Sequence, residues 1–292
     1  MSSSKEKFLA GIQKKPGGPT PLTAWPKEDG RVGDSGKGQS RNPFDLSGLV
    51  ALVTGSGRGI GRAVAERLAM NGAHVVVSDI NDDGARQTEA IIKQAGGSAE
   101  TMHFDVTDQA QIDKVLAAVL AKHGHVDILI NNAGICLNAT ALDTSKDIWD
   151  RQMRLNLDAV FYCSKAFGAQ MVKQGSGAIV NLSSMAAIID VHPQDHIGYS
   201  VSKAGVAHMS KVLGSEWANT GVRVNAIGPG FVATDMPLGA GIEMLEIWKK
   251  DIPMNRFLQP YEIANVIAFL ASDASSSITG QLIIADGGVT IW

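Results

Sequence analysis

Leu49-Val50-Ala51-Leu52-Val53-Thr54-Gly55-Ser56-Gly57-Arg58-Gly59-Ile60-Gly61-Arg62-Ala63-Val64-Ala65 decides the fold of this chain. Its first six residues are a short apolar run of the kind that forms a strand buried on both faces, and Ala63 to Met70 reads as a helix. Between them lies a glycine-rich turn. Residues without Cβ atoms let the backbone approach a pyrophosphate closely, and the N-terminus of the following helix offers free N–H groups and a partial positive charge. The pattern is Thr-Gly-x-x-x-Gly-x-Gly and not the stricter G-x-G-x-x-G, because Ile60 stands where the last glycine would be. A glycine cluster alone could be just a tight turn. A strand before it, a helix after it and an acid at the next strand end together point to dinucleotide binding.

That acid is Asp79, which closes His74-Val75-Val76-Val77-Ser78-Asp79, 18 residues past Gly61. A carboxylate there can accept hydrogen bonds from ribose hydroxyls and repels a 2′-phosphate, so NAD is expected over NADP. Arg58 speaks the other way, since an arginine in the turn could pair with a 2′-phosphate. Ile80, Asn81, Asp82 and Asp83 follow Asp79 with no basic residue, and the carboxylate decides.

Further along, apolar runs alternate with helical patterns. Strands are expected at 49–54, 74–79, 99–104, 126–131, 177–182, 222–227 and 281–285, and helices at 59–71, 82–95, 109–123, 147–173, 198–219 and 260–271. The alternation implies an α/β fold: one doubly wound, Rossmann-type domain with a seven-stranded parallel sheet and helices on both faces. Residues 1–43 are different material. They carry Pro16, Pro19, Pro21 and Pro26 among glycines, lysines and serines, with scarcely any apolar period. Such a segment cannot bury enough surface to offset its ordering entropy, so a flexible tail is expected before a domain at 44–292.

Tyr199 and Lys203 stand four apart in Gly198-Tyr199-Ser200-Val201-Ser202-Lys203-Ala204, a spacing that stacks both on one helix face. An ammonium beside a phenol favours the phenolate and should pull the tyrosine pKa down from ~10, suiting it to pass a proton to or from an alcohol or carbonyl oxygen.

Taken together, Thr54-Gly55…Gly59…Gly61, Asn131-Asn132-Ala133-Gly134, Asn156, Ser184, Tyr199…Lys203, Pro229-Gly230…Thr234-Asp235-Met236 and Asp286-Gly287-Gly288 fall in one order. In that order and rough spacing the chain resembles the short-chain dehydrogenase/reductase family from about Phe44 to Trp292. The resemblance implies an NAD(P)-dependent oxidoreductase acting on CH–OH groups, with Asn156, Ser184, Tyr199 and Lys203 as catalytic residues. It implies that Gly55, Arg58, Gly59, Ile60, Gly61, Asp79, Asp105, Val106, Asn132, Ala133, Gly134, Tyr199, Lys203, Pro229, Gly230, Val232 and Thr234 line the cofactor. Asp105 would meet the adenine amino group, the plainer reading being a helix N-cap. Asn131 would brace the sheet, Asn156 would hold a water that links the lysine to solvent, and Thr234 would anchor the carboxamide. Ser184 stands 15 residues before Tyr199, where the family usually has about 13, so the intervening loop is longer. Ser184 is favoured over its neighbour Ser183.

The substrate is read from that loop, Met185 to Gly198, with Asp190, His192, Gln194, Asp195 and His196. Polar groups beside a catalytic tyrosine suit a polyhydroxylated substrate, and the chain looks like the sugar-alcohol (galactitol-type) dehydrogenases of the family. A 3-oxoacyl-carrier-protein reductase or another ketone reductase is the alternative. The segment 236–253, with Leu238, Met244, Leu245 and Trp248, is expected to form a substrate lid.

A net charge of −3 argues against nucleic acid or an anionic membrane as partner, and no apolar run reaches the ~18 residues of a membrane span. Without the succession of charged, apolar and small residues of a secretory signal, and with only Cys136 and Cys163, a cytoplasmic protein without disulfides is expected. No catalytic metal is expected: the pairs His123/His125 and His192/His196 come without a third ligand at zinc spacing. Apolar residues on more than one face of helices 147–173 (Phe161, Phe167, Met171) and 198–219 (Val206, Met209, Val212, Leu213), with the ending Ile291-Trp292, point to a symmetric dimer or tetramer, and with the resemblance, which implies that the last strand and tail pack on a neighbouring subunit, a homotetramer is expected.

Overall fold

In the computed structural model of the chain, residues 42–234 and 241–292 are described. The tail expected over 1–43 therefore lies almost wholly outside the described residues, as does the start of the lid. The described chain enters the core at Leu46, which is buried.

Seven parallel strands follow: β1 (Val50–Thr54), β2 (His74–Asp79), β3 (Ser98–His103), β4 (Ile128–Asn131), β5 (Gly177–Leu182), β6 (Val222–Pro229) and β7 (Leu282–Ala285). Their order in the sheet is β3-β2-β1-β4-β5-β6-β7. The order reverses between β1 and β4, and in open α/β sheets ligands bind outside the carboxyl ends of the strands at such a switch. The helices are α1 (Gly59–Met70), α2 (Asp82–Gln94), α3 (Gln109–His123), α4 (Lys146–Met153), α5 (Ala159–Gln174), α6 (Ile197–Trp217), α7 (Ile242–Asp251) and α8 (Pro260–Ala271).

Because both faces are covered, the central strands are apolar over most of their length, and their alternate residues feed two separate cores. Ala51, Val53, Val75 and Val77 pack with α1 and α8 through Val64, Leu68, Ile263 and Ile267. Leu52, Val76 and Leu129 pack on the other face with Ile112, Val119, Phe167 and Met171. Phe167 and Met171 are thus fully buried within one chain, as are Val206 and, nearly so, Leu213. The surplus apolar surface expected there shrinks to Phe161, Tyr162 and Val212, together with Ile291 and Trp292.

One expected helix is two. The stretch 147–173 begins at Lys146, passes through a π-helical turn at Arg154–Asp158 and resumes as α5. Across the sheet, Asn131 and Asn181 stand opposite each other on β4 and β5. Asn131 Nδ2 donates to Asn181 Oδ1 (2.8 Å) and to Ser164 Oγ on α5 (3.0 Å), and Asn181 Nδ2 donates to Ser210 Oγ on α6 (2.9 Å). This buried polar ladder ties the two helices to the sheet centre, and loss of one member would strand its partner at a cost of about 1–3 kcal/mol.

Candidate active site

The turn after β1 has room for backbone and for little else. Gly55 (φ +62°) and Gly59 (φ +57°) take left-handed backbone that L side chains rarely adopt. A Cβ on Gly61 would lie 2.2 Å from the Gly55 carbonyl oxygen, and one on Gly57 would lie 2.8 Å from Asp79 Oδ2. Helix, turn and acid are packed as one cradle. Asp79 accepts the Gly57 N–H at Oδ2 (2.8 Å) and the Asn81 N–H at Oδ1 (2.9 Å), so its carboxylate is fixed against the turn. Arg62 closes the far side, donating to the Gly57 carbonyl (2.5 Å) and to Thr88 Oγ1 (3.0 Å).

The segment after β4 holds this cradle from the other side. Asn132 Nδ2 donates to the carbonyls of Thr54 and Gly55, both at 2.9 Å, while Thr54 Oγ1 accepts the N–H groups of Asn132 (3.0 Å) and Ala133 (3.1 Å). The Asn132 side chain is therefore a brace for the glycine turn. Ile60 packs against the core beneath it. Val106 lines a small space with Thr54 and Ala133. Asp105 Oδ1 accepts both the N–H and the hydroxyl of Thr107, a local turn, and Asp108 caps α3 in its place. Beyond β6, which ends at Pro229, the Gly230 N–H donates to Ala285 and Val232 is buried. The Thr234 methyl lies 3.5 Å from where a Gly59 Cβ would stand, facing the turn from across the strand ends.

Tyr199 and Lys203 occupy the first two turns of α6. Lys203 is buried; its Nζ donates to the Leu182 carbonyl (2.7 Å) at the end of β5 and stands 5.7 Å from the Tyr199 ring centroid. Asn156 sits in the π-helical turn. Its Oδ1 accepts the Ile135 N–H (2.9 Å), and its Nδ2 donates to the Ile135 carbonyl (2.8 Å) and to Ser202 Oγ (3.2 Å). A Cβ on Gly134 would meet Asn156 Oδ1 at 3.1 Å and Lys203 Nζ at 3.5 Å, so glycine there lets amide and ammonium share one corner. The two serines after β5 part ways. Ser183 Oγ is committed to the Lys203 carbonyl (2.8 Å), whereas Ser184 accepts the Ala186 N–H (3.1 Å) and hydrogen-bonds the Tyr199 side chain.

Electrostatics in the protein itself run against the expectation for the tyrosine. Part of Tyr199 stays accessible, but burial of the rest pushes its phenol up to about 12, with the Ser184 hydrogen bond acting in the opposite sense. Burial likewise lowers the Lys203 ammonium to about 8. Both neutral forms are favoured because both groups leave water, an effect the i,i+4 spacing does not reveal.

Beside the polar loop residues expected there, Gln152 was invisible as a site residue. Gln152 on α4 is buried, accepts the Leu137 N–H (3.0 Å) and presses its Nε2 to within 2.5 Å of where a Gly198 Cβ would be. His196 is buried with its ring 5.6 Å from that of Tyr199, and its Nδ1 is bonded to Ser200 Oγ (3.0 Å). His192 turns instead to Asp190 (3.2 Å) on the exposed side of the loop. Trp248 of α7 stacks on Phe231 (4.9 Å) and donates to Gln194 Oε1 (2.9 Å), joining this helix of the segment expected as a lid to the loop after β5. Cys136 lies near Lys203, and burial raises its thiol to about 11, which makes it unreactive at neutral pH.

The family model described as enoyl-(acyl carrier protein) reductase matches residues 55–290. Galactitol 2-dehydrogenase of Rhizobium johnstonii is 43% identical over 253 residues, covering 85% of this chain and 98% of that protein. The 3-oxoacyl-[acyl-carrier-protein] reductase of Thermotoga maritima is 39% identical over 249 residues, covering 84% of this chain and 99% of that one. Among solved structures, a gluconate 5-dehydrogenase from Burkholderia cenocepacia in complex with NADP and tartrate superposes with a TM-score of 0.80 at 34% identity, covering 85% of this chain and 97% of that one. The chain belongs to the short-chain dehydrogenase/reductase family and is a dehydrogenase of the class that acts on alcohols.

Proposed function

We propose that this short-chain dehydrogenase/reductase oxidises one secondary hydroxyl of a polyol or sugar alcohol with NAD, and reduces the matching ketone in the reverse direction. The observation that carries the reading is the convergence of Ser184, Tyr199 and Lys203 beside a glycine cradle closed by the Asp79 carboxylate. The residues present fit a dinucleotide, because a Cβ at Gly57 or Gly61 would fill the space the cradle keeps for backbone. NAD, when bound, supplies the hydride acceptor. Gly55, Arg58, Gly59, Ile60, Gly61, Asn132, Ala133, Gly134, Pro229, Gly230, Val232 and Thr234 would hold it, with Asp105 and Val106 toward its adenine end.

The chain's own residues do the rest. Asp79 accepts ribose hydroxyls and repels a 2′-phosphate, which favours NAD over NADP. Ser184 Oγ donates to the substrate oxygen and Tyr199 Oη exchanges a proton with it. The Lys203 ammonium stabilises negative charge as it develops on the phenol. Asn156 positions both, through Ile135 on one side and Ser202 on the other. His196, Gln194 and Gln152 give the pocket polar walls that can pair with additional hydroxyls, and α7 covers it through Trp248. The two unpaired cysteines suit a cytoplasmic enzyme. Exposed Phe161, Tyr162 and Val212, with Ile291 and Trp292, offer apolar surface for a homotetramer.

The test is steady-state turnover of galactitol, gluconate and an acetoacetyl thioester with NAD(H) and NADP(H). The expected result is a polyol kcat/KM with NAD at least tenfold above that with NADP, and above any thioester reduction. NADP-dependent thioester reduction with inert polyols would replace this reading with the carrier-protein reductase, for which Arg58 in the turn would supply a partner to the 2′-phosphate.

A further inference from the structure

At the opposite end of the sheet, three elements bring together side chains that the dehydrogenase chemistry does not use. His74 opens β2, Glu100 lies in the edge strand β3, and His123 is the last residue of α3. In the sheet register His74 is paired with Ser98, so His74, Ser98 and Glu100 point to one face, the face that α3 covers. His123 Nε2 is 2.6 Å and His74 Nε2 is 3.4 Å from Glu100 Oε1. The two imidazole rings are 4.5 Å apart at an angle of 41°.

We propose that His74, Glu100 and His123 form a binding site for a divalent transition-metal ion of the Zn²⁺ class. Two imidazoles and one carboxylate are the donor set that such ions take, with solvent completing a tetrahedron. One potential ligand atom from each residue lies within 4.8 Å of the others. Bonds of ~2.0–2.1 Å to a tetrahedral ion place donors roughly 3.3–3.5 Å apart, so the adjustment needed is about an ångström of side-chain rotation. A supporting shell is in place. His74 Nδ1 is bonded to Ser98 Oγ (2.7 Å), which as a donor contact leaves the lone pair on Nε2 facing the centre. Lys122 holds the other Glu100 oxygen, so the carboxylate is oriented while Oε1 stays turned to the histidines. Burial also keeps His74 more readily neutral, the form that binds metal. The adverse element is the Lys122 charge. It sits on a side chain 58% exposed, which can swing into solvent when a cation arrives.

The role would be structural. His74 lies five residues before Asp79 on β2, about 16 Å away at ~3.3 Å per residue, so the ion would pin the end of α3 to the sheet edge without touching the reaction.

The experiment uses the tag-free full chain, stripped with a chelator and titrated with Co²⁺ and then Zn²⁺. One saturable equivalent with the visible absorption of tetrahedral Co²⁺, displaced by Zn²⁺, is expected, together with a rise in Tm. His74→Gln, Glu100→Gln and His123→Gln should each weaken binding at least tenfold and abolish the Tm rise, with kcat and KM unchanged. Should His123→Gln fail to fold, His74→Gln decides. No saturable binding, or binding equally tight in the variants, overturns the proposal; the second result would move the ion to surface pairs such as His103 with Asp82 or His192 with Asp190.

Discussion

Lys203→Met should show what this enzyme's fold spends on burying Lys203, the lysine proposed to act in the reaction. Lys203 is 4% exposed and its ammonium is lowered to about 8 from an ordinary value of 10.5. A gap of about 2.5 pK units corresponds to about 3 kcal/mol between the protonated form in water and in the fold. The sign follows from proton counts. Between pH 8 and 10.5 the unfolded chain holds the proton and the folded chain has released it, so stability rises with pH across that window. Below pH 8 the full cost is present. Methionine keeps an unbranched chain of similar length and has no charge to bury. It also removes the donor to the Leu182 carbonyl, a loss of about 1–3 kcal/mol that does not vary with pH.

The measurable quantity is therefore the difference in unfolding free energy between wild type and Lys203→Met, taken from urea titrations at pH 7.0 and pH 9.5. The difference should shift by about 2 kcal/mol in favour of wild type on going to pH 9.5. Tyr199 titrates in both proteins and cancels. A difference constant to within ~0.5 kcal/mol would show that Lys203 is as protonated inside the protein as outside it, and the burial argument would fall.

Tyr199→Phe should lower kcat by ~10²-fold or more while leaving the NAD dissociation constant within about twofold, since only the proton-transferring hydroxyl is lost; a variant retaining a tenth of the rate would be incompatible with the mechanism. Because the fold holds the phenol neutral, polyol oxidation should accelerate as pH rises from 7 toward 8, below the loss of the Lys203 proton, whereas ketone reduction should not; parallel profiles in the two directions would count against Tyr199 as the proton carrier. Asp79→Ser should reduce the NAD over NADP preference at least tenfold, ~1.4 kcal/mol, and Asp79→Asn should do the same while keeping an acceptor for the Gly57 N–H; an unchanged ratio in both would remove Asp79 as the discriminator. Trp248→Phe keeps the stack on Phe231 and loses the bond to Gln194, so KM for the polyol should rise severalfold with kcat little changed, and unaltered kinetics would show that the lid is held without it.

What could be read from the residues was whatever follows from pattern along the chain. Seven apolar runs separated by helical segments specify a parallel sheet, because only strands covered on both faces are apolar at every position. The helix read across 147–173 failed at its middle for a physical reason. Leu155-Asn156-Leu157 keeps helical spacing, and nothing local shows that Asn156 is drawn to both backbone groups of Ile135, a residue 21 positions earlier. That pull is paired with the wider π turn, a feature that often marks functional sites. The brace made by the Asn132 side chain was not legible either: its amide donates to the carbonyls of Thr54 and Gly55, two residues 78 and 77 positions away. Ser184 is favoured over Ser183 by the resemblance, and the physical ground for that choice lies in space, in which hydroxyl faces α6's backbone and which faces its tyrosine. The histidine pairs were judged by spacing in sequence, and the cluster that does assemble draws one residue from each of three elements.

A common logic connects the residues assigned to the reaction. Apart from Tyr199, which meets Ser184 through its side chain, each is fastened to main chain: Lys203 to the Leu182 carbonyl, Ser184 to the Ala186 N–H, Asn156 to Ile135, Asp79 to the N–H groups of Gly57 and Asn81. Backbone at the ends of parallel strands is positioned by the sheet register, which cannot slip without turning core residues to the wrong face. The site therefore inherits its geometry from the part of the fold that is hardest to perturb. The loop after β5 and α7, the helix proposed as a lid, meet through side chains, Gln194 with Trp248, and carry no such constraint. Substitutions at the strand ends should cost chemistry outright, while substitutions in the loop and lid should change which alcohol is accepted. That division is how one fold can serve relatives as different as a galactitol dehydrogenase and a carrier-protein reductase.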